Sequence, residues 1–297
     1  MKANTIEVNT KKTLQIKKRK QLKITTLLFH LVVIIGSLIM VFPFLWSISS
    51  SLKDISQIFI VLFIVPPEFI PKPFVWSNYP DSLQAMPFGK AYWNSFYITV
   101  LIVTIQLFTA SMAAYAFAKI KFKGSNFLFI FFLATMMIPK QVTMIPTYMI
   151  MEKIGWLDTH LSLIVPGALF NAFAVFLLRQ FIMGIPKELE EAAIMDGANP
   201  PKVYWSVILP LIRPALAAVG IFIFMGSWNN FLEPLIYLST PEYFTVPLLL
   251  DYFKGYYVTD WALMMAGSTI SIIPVLIIYI IAQRHIIEGV ALTGIKG

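Results

Sequence analysis

Glu191-Ala192-Ala193, with Gly197 after it and Leu209-Pro210 further on, is the stretch of this chain best suited to gripping another molecule. It sits between two long apolar runs. Pro186 suits a first helical turn, where its missing N–H costs nothing. Glu188, Glu190 and Glu191 then lie near the positive end of the helix dipole. Ala192 and Ala193 have little bulk, so a partner groove can close over them. Gly197 is a natural helix stop in the left-handed conformation. Pro200-Pro201 forces a turn, and a second short helix runs from about Pro201 to Leu209. Helix, turn and helix make a stiff elbow. Its chemistry is recognition rather than bond making. An ordinary solvated helical hairpin is the plainer alternative.

Other polar residues are sparse. Glu233 is the only acid inside an apolar run, and a charge there costs about 2.5–3.5 kcal/mol at a bilayer centre. It either faces a polar path, with Asn229 and Asn230 beside it, or caps a broken helix or meets a partner. Asn229 and Asn230 point about 100° apart on a helix, so at most one faces such a path squarely. His30, His160 and His285 are scattered and make no metal site. No cysteine is present, which removes disulfides, thiolate metal sites and a Cys nucleophile. There is no G-x-x-x-x-G-K-[ST] loop to cradle phosphates.

These residues need a scaffold, and composition names its solvent. Of 297 residues, 58% are hydrophobic and 13% charged, with mean hydropathy +0.76. That charge content is about half the ~25% usual in soluble domains. An all-α membrane protein follows, because lipid tolerates such a surface. Six runs span: about 25–49, 91–118, 126–150, 159–180, 214–238 and 261–283. The third is broken by Pro139, Lys140 and Pro146, and reads as a kinked span with Lys140 snorkelling outward. The apolar run Ile58–Val65 is too short to cross. Trp46, Trp93, Trp156 and Trp261 mark span ends. The methionines Met136, Met137, Met144, Met149 and Met151 read as adaptable packing.

Lysines and arginines set the orientation. Seventeen lie in the arm 1–24, the loops after spans two and four, and the tail, against six in the alternate loops. The first group is cytoplasmic, so both termini sit there. The arm reads as disordered, and 25–297 as one membrane domain with no repeats or linkers. The run after the arm is too long for a signal-peptide core, so the first span is uncleaved. The net charge of +8 is a topology signal with a hold on anionic lipid, not a nucleic-acid surface.

The spacing Glu191-Ala192-Ala193, Gly197, Val207 and Leu209-Pro210 resembles the EAA loop of binding-protein-dependent ABC importer permeases. Val207 stands where isoleucine is commoner. Leu178-Arg179-Gln180-Phe181, Met137-Ile138-Pro139, Ile145-Pro146, Leu157-Asp158-Thr159, Trp228 to Leu232, Pro234-Leu235 and the tail from Gln283 are similar to maltose-type carbohydrate permeases. The likeness covers roughly residues 25–297. It implies a type I importer fold with a cytoplasmic coupling helix between spans four and five, the loop 184–211. Glu191, Ala192, Ala193, Asp196 and Gly197 would dock an ATPase dimer. Asn229, Asn230 and Glu233 would line the substrate path. Tyr252, Phe253 and Tyr256, in an aromatic outer loop, would meet an external solute-binding protein or simply pack on the outer surface. A second homologous permease would complete the pore in the cell membrane. The chain itself would bind no cofactor and be no enzyme, because ATP would be used by the partner. The cargo would be a sugar or oligosaccharide. The rivals are a permease for another solute, a secondary transporter and a membrane enzyme. The last two lack the paired midplane charges or catalytic constellation they need.

Overall fold

The computed structural model describes residues 2–59, 68–169, 171–254 and 260–294, with 2–25, 59, 282 and 284–294 as backbone only. Among the described residues the fold is helical throughout, with no strand. The first helix, α1 (Lys2–Ser51), joins the basic arm to the first span without a break. A disordered arm was expected. Once the apolar half has nucleated a helix, extending it through Lys- and Gln-rich sequence is easy. The apolar face of α1 from Leu27 to Leu45 is exposed, as a helix bathed in lipid should be.

A short connecting segment follows, with α2 (Ile55–Phe59) and α3 (Asn78–Ala85). Most of the run 58–65 lies outside the described residues. The central post is α4 (Phe88–Lys119), 32 residues long. Its buried side includes Ala91, Ser95, Ile98, Ile102, Ala110, Ser111 and Ala114, small or slim residues that let neighbours approach closely. Next come α5 (Ser125–Ala134) and α6 (Lys140–Lys153), separated by a 3-10 turn at Thr135–Met137. Their axes differ by 95° across Ile138-Pro139. The third run is therefore a sharp corner, more than a kink, because Pro139 takes an extended conformation before α6.

The fourth run divides into α7 (Leu161–Leu169) and α8 (Ala172–Met183). An uninterrupted helix was expected there. Asn171 breaks it by capping α8, its side chain accepting from the Ala174 amide at 2.9 Å. Two elements form the elbow, α9 (Lys187–Met195) and α10 (Pro200–Val203), continued by a π-helical turn at Tyr204–Ile208 and α11 (Leu209–Leu211). The fifth run is α12 (Arg213–Trp228) and α13 (Leu232–Tyr237), broken at Asn229-Asn230. After α14 (Val246–Tyr252) comes α15 (Trp261–Gly294), which packs along α1, α3 and α12.

Four apolar stretches are long enough to cross a bilayer, and two bent helix pairs raise the number to as many as six. The core forms where α4 meets α7, α8 and α12. Leu178, Ile182, Ala174, Ala114 and Ala215 are fully buried there. Gly167 on α7 belongs to this close packing, since a Cβ on it would sit 3.0 Å from Ile102 Cδ1.

Candidate functional site

The elbow helix α9 ends in a complete Schellman motif. The Gly197 amide donates to the Ile194 carbonyl, and the Ala198 amide to the Ala193 carbonyl, both at 2.9 Å. Gly197 has φ +79°, where a side chain is strained. Asn199 caps the following helix by accepting from the Lys202 amide at 3.0 Å. No residue of α9 is buried, and Met195 is 88% exposed at its tip. Leu189, Ile194 and Met195 present apolar bulk beside exposed Glu188, Glu191, Ala192, Asp196 and Gly197. Ala193 is half-buried against the chain's own core, so Ala192 is the small residue facing out.

The elbow is bolted to the C-terminal end of α4. Lys119 pairs with Glu190, with side chains only 9% and 14% exposed, and donates to the Ile185 carbonyl at 3.0 Å. Tyr204 Oη meets Ser111 Oγ at 2.8 Å, and Tyr115 Oη donates to the Pro200 carbonyl at 3.3 Å. Burial pushes the Tyr204 phenol up, with the Ser111 hydrogen bond opposing. Arg179 on α8 donates to the Phe117 carbonyl at 3.2 Å and lies 4.2 Å over the Phe129 ring. Glu190 is therefore an inward anchor, whereas the sequence reading placed it only in the dipole field.

On the opposite end of the molecule, Asp158 ties the α6–α7 connection to the segment after α13. Its carboxylate accepts from the Ser239 and Thr240 amides at 2.9 Å each and from the Thr240 hydroxyl at 2.5 Å. Burial pushes the Asp158 carboxyl up, but these hydrogen bonds outweigh it and hold the group below its ordinary value. His160 Nε2 lies 2.7 Å from the Tyr243 carbonyl oxygen, and its ring packs edge-on against Tyr97 and Tyr243. His30 is satisfied locally by the Thr26 carbonyl.

Of the aromatic trio expected at the outer loop, Tyr252 is exposed and packs 4.8 Å from Phe244, centroid to centroid. Phe253, the second of the trio, is placed differently. It is 6% exposed and part of the core, because the chain turns it inward at the end of α14. Tyr256 lies outside the described residues.

The polar residues of the broken helices converge on one cavity of about 540 Å³. Asn230 lines it and donates to Glu233 Oε2 at 2.7 Å. Lys140, expected to snorkel outward, brings its Nζ 3.5 Å from Glu233 Oε1. Glu233 thus both sits in the first turn of α13 and faces the cavity. Asn229 turns away, donating to the Met225 carbonyl at 3.0 Å. Sequence reasoning missed Gln106 and Asn171. Asn171 donates to Gln106 Oε1 at 2.7 Å, and Gln106 donates to the Gly167 carbonyl. Both are amides inside apolar runs, and that alone was the available signal. Among the described residues no group of His, Asp and Glu is arranged to hold a metal.

The chain is similar to curated transport proteins along most of its length. It is 35% identical to an arabinooligosaccharides transport system permease protein of Halalkalibacterium halodurans, over 87% of this chain and 92% of that one. It is 31% identical to a probable starch degradation products transport system permease protein of Thermoanaerobacterium thermosulfurigenes, over 89% and 94%. In structure it matches a bacterial ABC transporter involved in import of the acidic polysaccharide alginate, with TM-score 0.76 and 26% identity, covering 88% of this chain and 96% of that one. Residues 106–291, which contain the elbow, the broken helices and the cavity, match one family model. The chain belongs to the binding-protein-dependent transport system inner membrane components, a multi-pass transport component rather than a catalytic subunit.

Proposed function

We propose that this chain is the sugar-passing permease subunit of an ATP-driven importer in the cytoplasmic membrane. It takes a sugar or oligosaccharide from an external binding protein, and a separate ATPase dimer seats on α9. It crosses the bilayer six times with both termini inside, counting α5–α6, α7–α8 and α12–α13 as one crossing each. The excess of Lys and Arg in the arm, the elbow and the tail supports that orientation. The carbohydrate relatives support the cargo. The family's dependence on a binding protein argues against a stand-alone secondary carrier. A second, homologous permease completes the pathway.

One observation carries the reading. α9 is surface-exposed on its acidic and apolar side yet clamped through Lys119–Glu190 to α4, the central post of the core. Such a part transmits a push without absorbing it. Nucleotide-driven motion of the ATPase enters at Ala192, Asp196 and Gly197, passes through Glu190 and Lys119 into α4, and reaches the cavity at Gln106. Tyr252 is the surface aromatic of the outer loop that meets the binding protein.

The chain has no cysteine, so a Met195→Cys variant carries the only thiol. In the assembled importer, a short bifunctional thiol–amine reagent should join it to the ATPase subunit. Labelling of Met195→Cys by an impermeant thiol reagent from outside intact cells would overturn the orientation and the docking together.

A further inference from the structure

The cavity wall is unusual for a membrane interior in its hydrogen-bonding inventory. Gln106 and Asn171 each have one amide hydrogen left after the bonds to the Gly167 carbonyl and Gln106 Oε1. Asn230 likewise has one left after donating to Glu233. Glu233 keeps free lone pairs, and Lys140 keeps donors beyond its single carboxylate contact. The wall therefore offers donors and acceptors together, as vicinal hydroxyls require. Tyr237 adds an aromatic surface at its edge. The volume of about 540 Å³ falls within the ~300–1,000 Å³ of small-molecule sites.

Charge narrows the class further. The cation and the acid on this wall balance in charge, with Lys140 Nζ 3.5 Å from Glu233 Oε1. A neutral saccharide leaves that pair intact. A polyuronate brings one negative charge per sugar and finds one cation already neutralised, with Glu233 repelling it at close range. The structurally similar importer handles an acidic polysaccharide. This wall has no surplus of positive charge for such a cargo.

We infer that Gln106, Asn171, Asn230, Glu233 and Lys140 form a saccharide-binding wall that accepts neutral oligosaccharides and rejects polyuronates. The inference rests on the importer reading above and goes beyond it by giving this subunit its own say in cargo choice.

The test uses the purified importer complex with a single thiol at Asn230→Cys, labelled by uncharged N-ethylmaleimide. Maltotriose or trigalacturonate is added directly at millimolar concentration without binding protein, so that the wall makes the choice. Maltotriose at about ten times its dissociation constant should slow labelling about tenfold, and trigalacturonate at the same concentration should not. Glu233→Gln, which leaves Lys140 as the lone charge, should swing protection towards trigalacturonate. A purely structural ion pair predicts no such swing. Should Asn230→Cys fail to assemble, Gly226→Cys serves, since a Cβ there meets nothing within 4 Å. Equal protection by both sugars, or protection by neither, overturns the wall. Parallel uptake by the wild-type importer keeps the two readings apart. Uptake of neutral sugar without protection sinks only the wall, whereas failure to import any sugar sinks the importer reading.

Discussion

Lys119→Met is the sharpest perturbation of the proposed force path. The ammonium holds both Glu190 and the Ile185 carbonyl, and so fastens both ends of the α8–α9 turn to α4. Removing one partner of a buried ion pair costs about 3–5 kcal/mol. The lower end applies here, because Lys119 and Glu190 line an open groove between the α4–α5 loop and α9. About 3 kcal/mol shifts the balance between seated and unseated elbow roughly 100-fold. The ATPase would still find α9, whose exposed face is unaltered, but its stroke would no longer reach α4. In proteoliposomes containing the whole importer, ATP hydrolysis stimulated by the loaded binding protein should persist while sugar uptake per ATP falls at least about tenfold. Glu190→Gln should act in the same direction. The double variant Lys119→Met/Glu190→Met should recover most of the coupling, because an apolar pair leaves no buried charge unpartnered. If Lys119→Met transports with wild-type stoichiometry, or if the double variant is no better than either single one, the bolt is not part of the path.

Ala192→Trp should abolish uptake while membrane insertion, followed by immunoblot of the membrane fraction, stays normal. Gly197→Ala should destabilise the elbow by about 1–2 kcal/mol, because a Cβ is strained at φ +79°, and Gly197→Pro should eliminate uptake altogether. The Asp158 carboxyl titrates below its ordinary 3.8, so the latch it makes is fully present above that pH and is lost as pH falls through the depressed value. Limited proteolysis of the outer connections should therefore accelerate in acid, and Asp158→Ala should be cleaved at the fast rate at every pH. Asn171→Leu removes the α8 cap and strands Gln106 Oε1, for a combined loss of about 2–3 kcal/mol that should appear as a lower thermal midpoint in detergent.

Periodicity and composition were enough to place the helices, but not their interruptions. The corner at Ile138-Pro139 was visible in part because proline removes a donor and resists the helix. The break before α8 was not, because Asn171 sits in an otherwise apolar run and only its capping bond to Ala174 reveals it. Lys140 illustrates the limit. Alone in sequence it is a stray charge at a span end, and only the 95° corner brings it to Glu233, 93 positions away. Tyr252 and Phe253 look alike in the sequence, and only packing sorts the first onto the surface and the second into the core.

The amino-acid order alone determined that this chain lives in lipid and that residues 187–197 form a stopped helix. Those properties are local. They follow from the apolar content of about 20 residues at a time and from the backbone limits of proline and glycine. What only the tertiary structure decided is which polar residues meet: Lys119 with Glu190, Asp158 with Thr240, and Gln106 and Asn171 in one wall with Asn230, Glu233 and Lys140. Such pairings depend on how helices cross and where they break, and side-chain contacts between distant segments carry no period that a linear reading can detect.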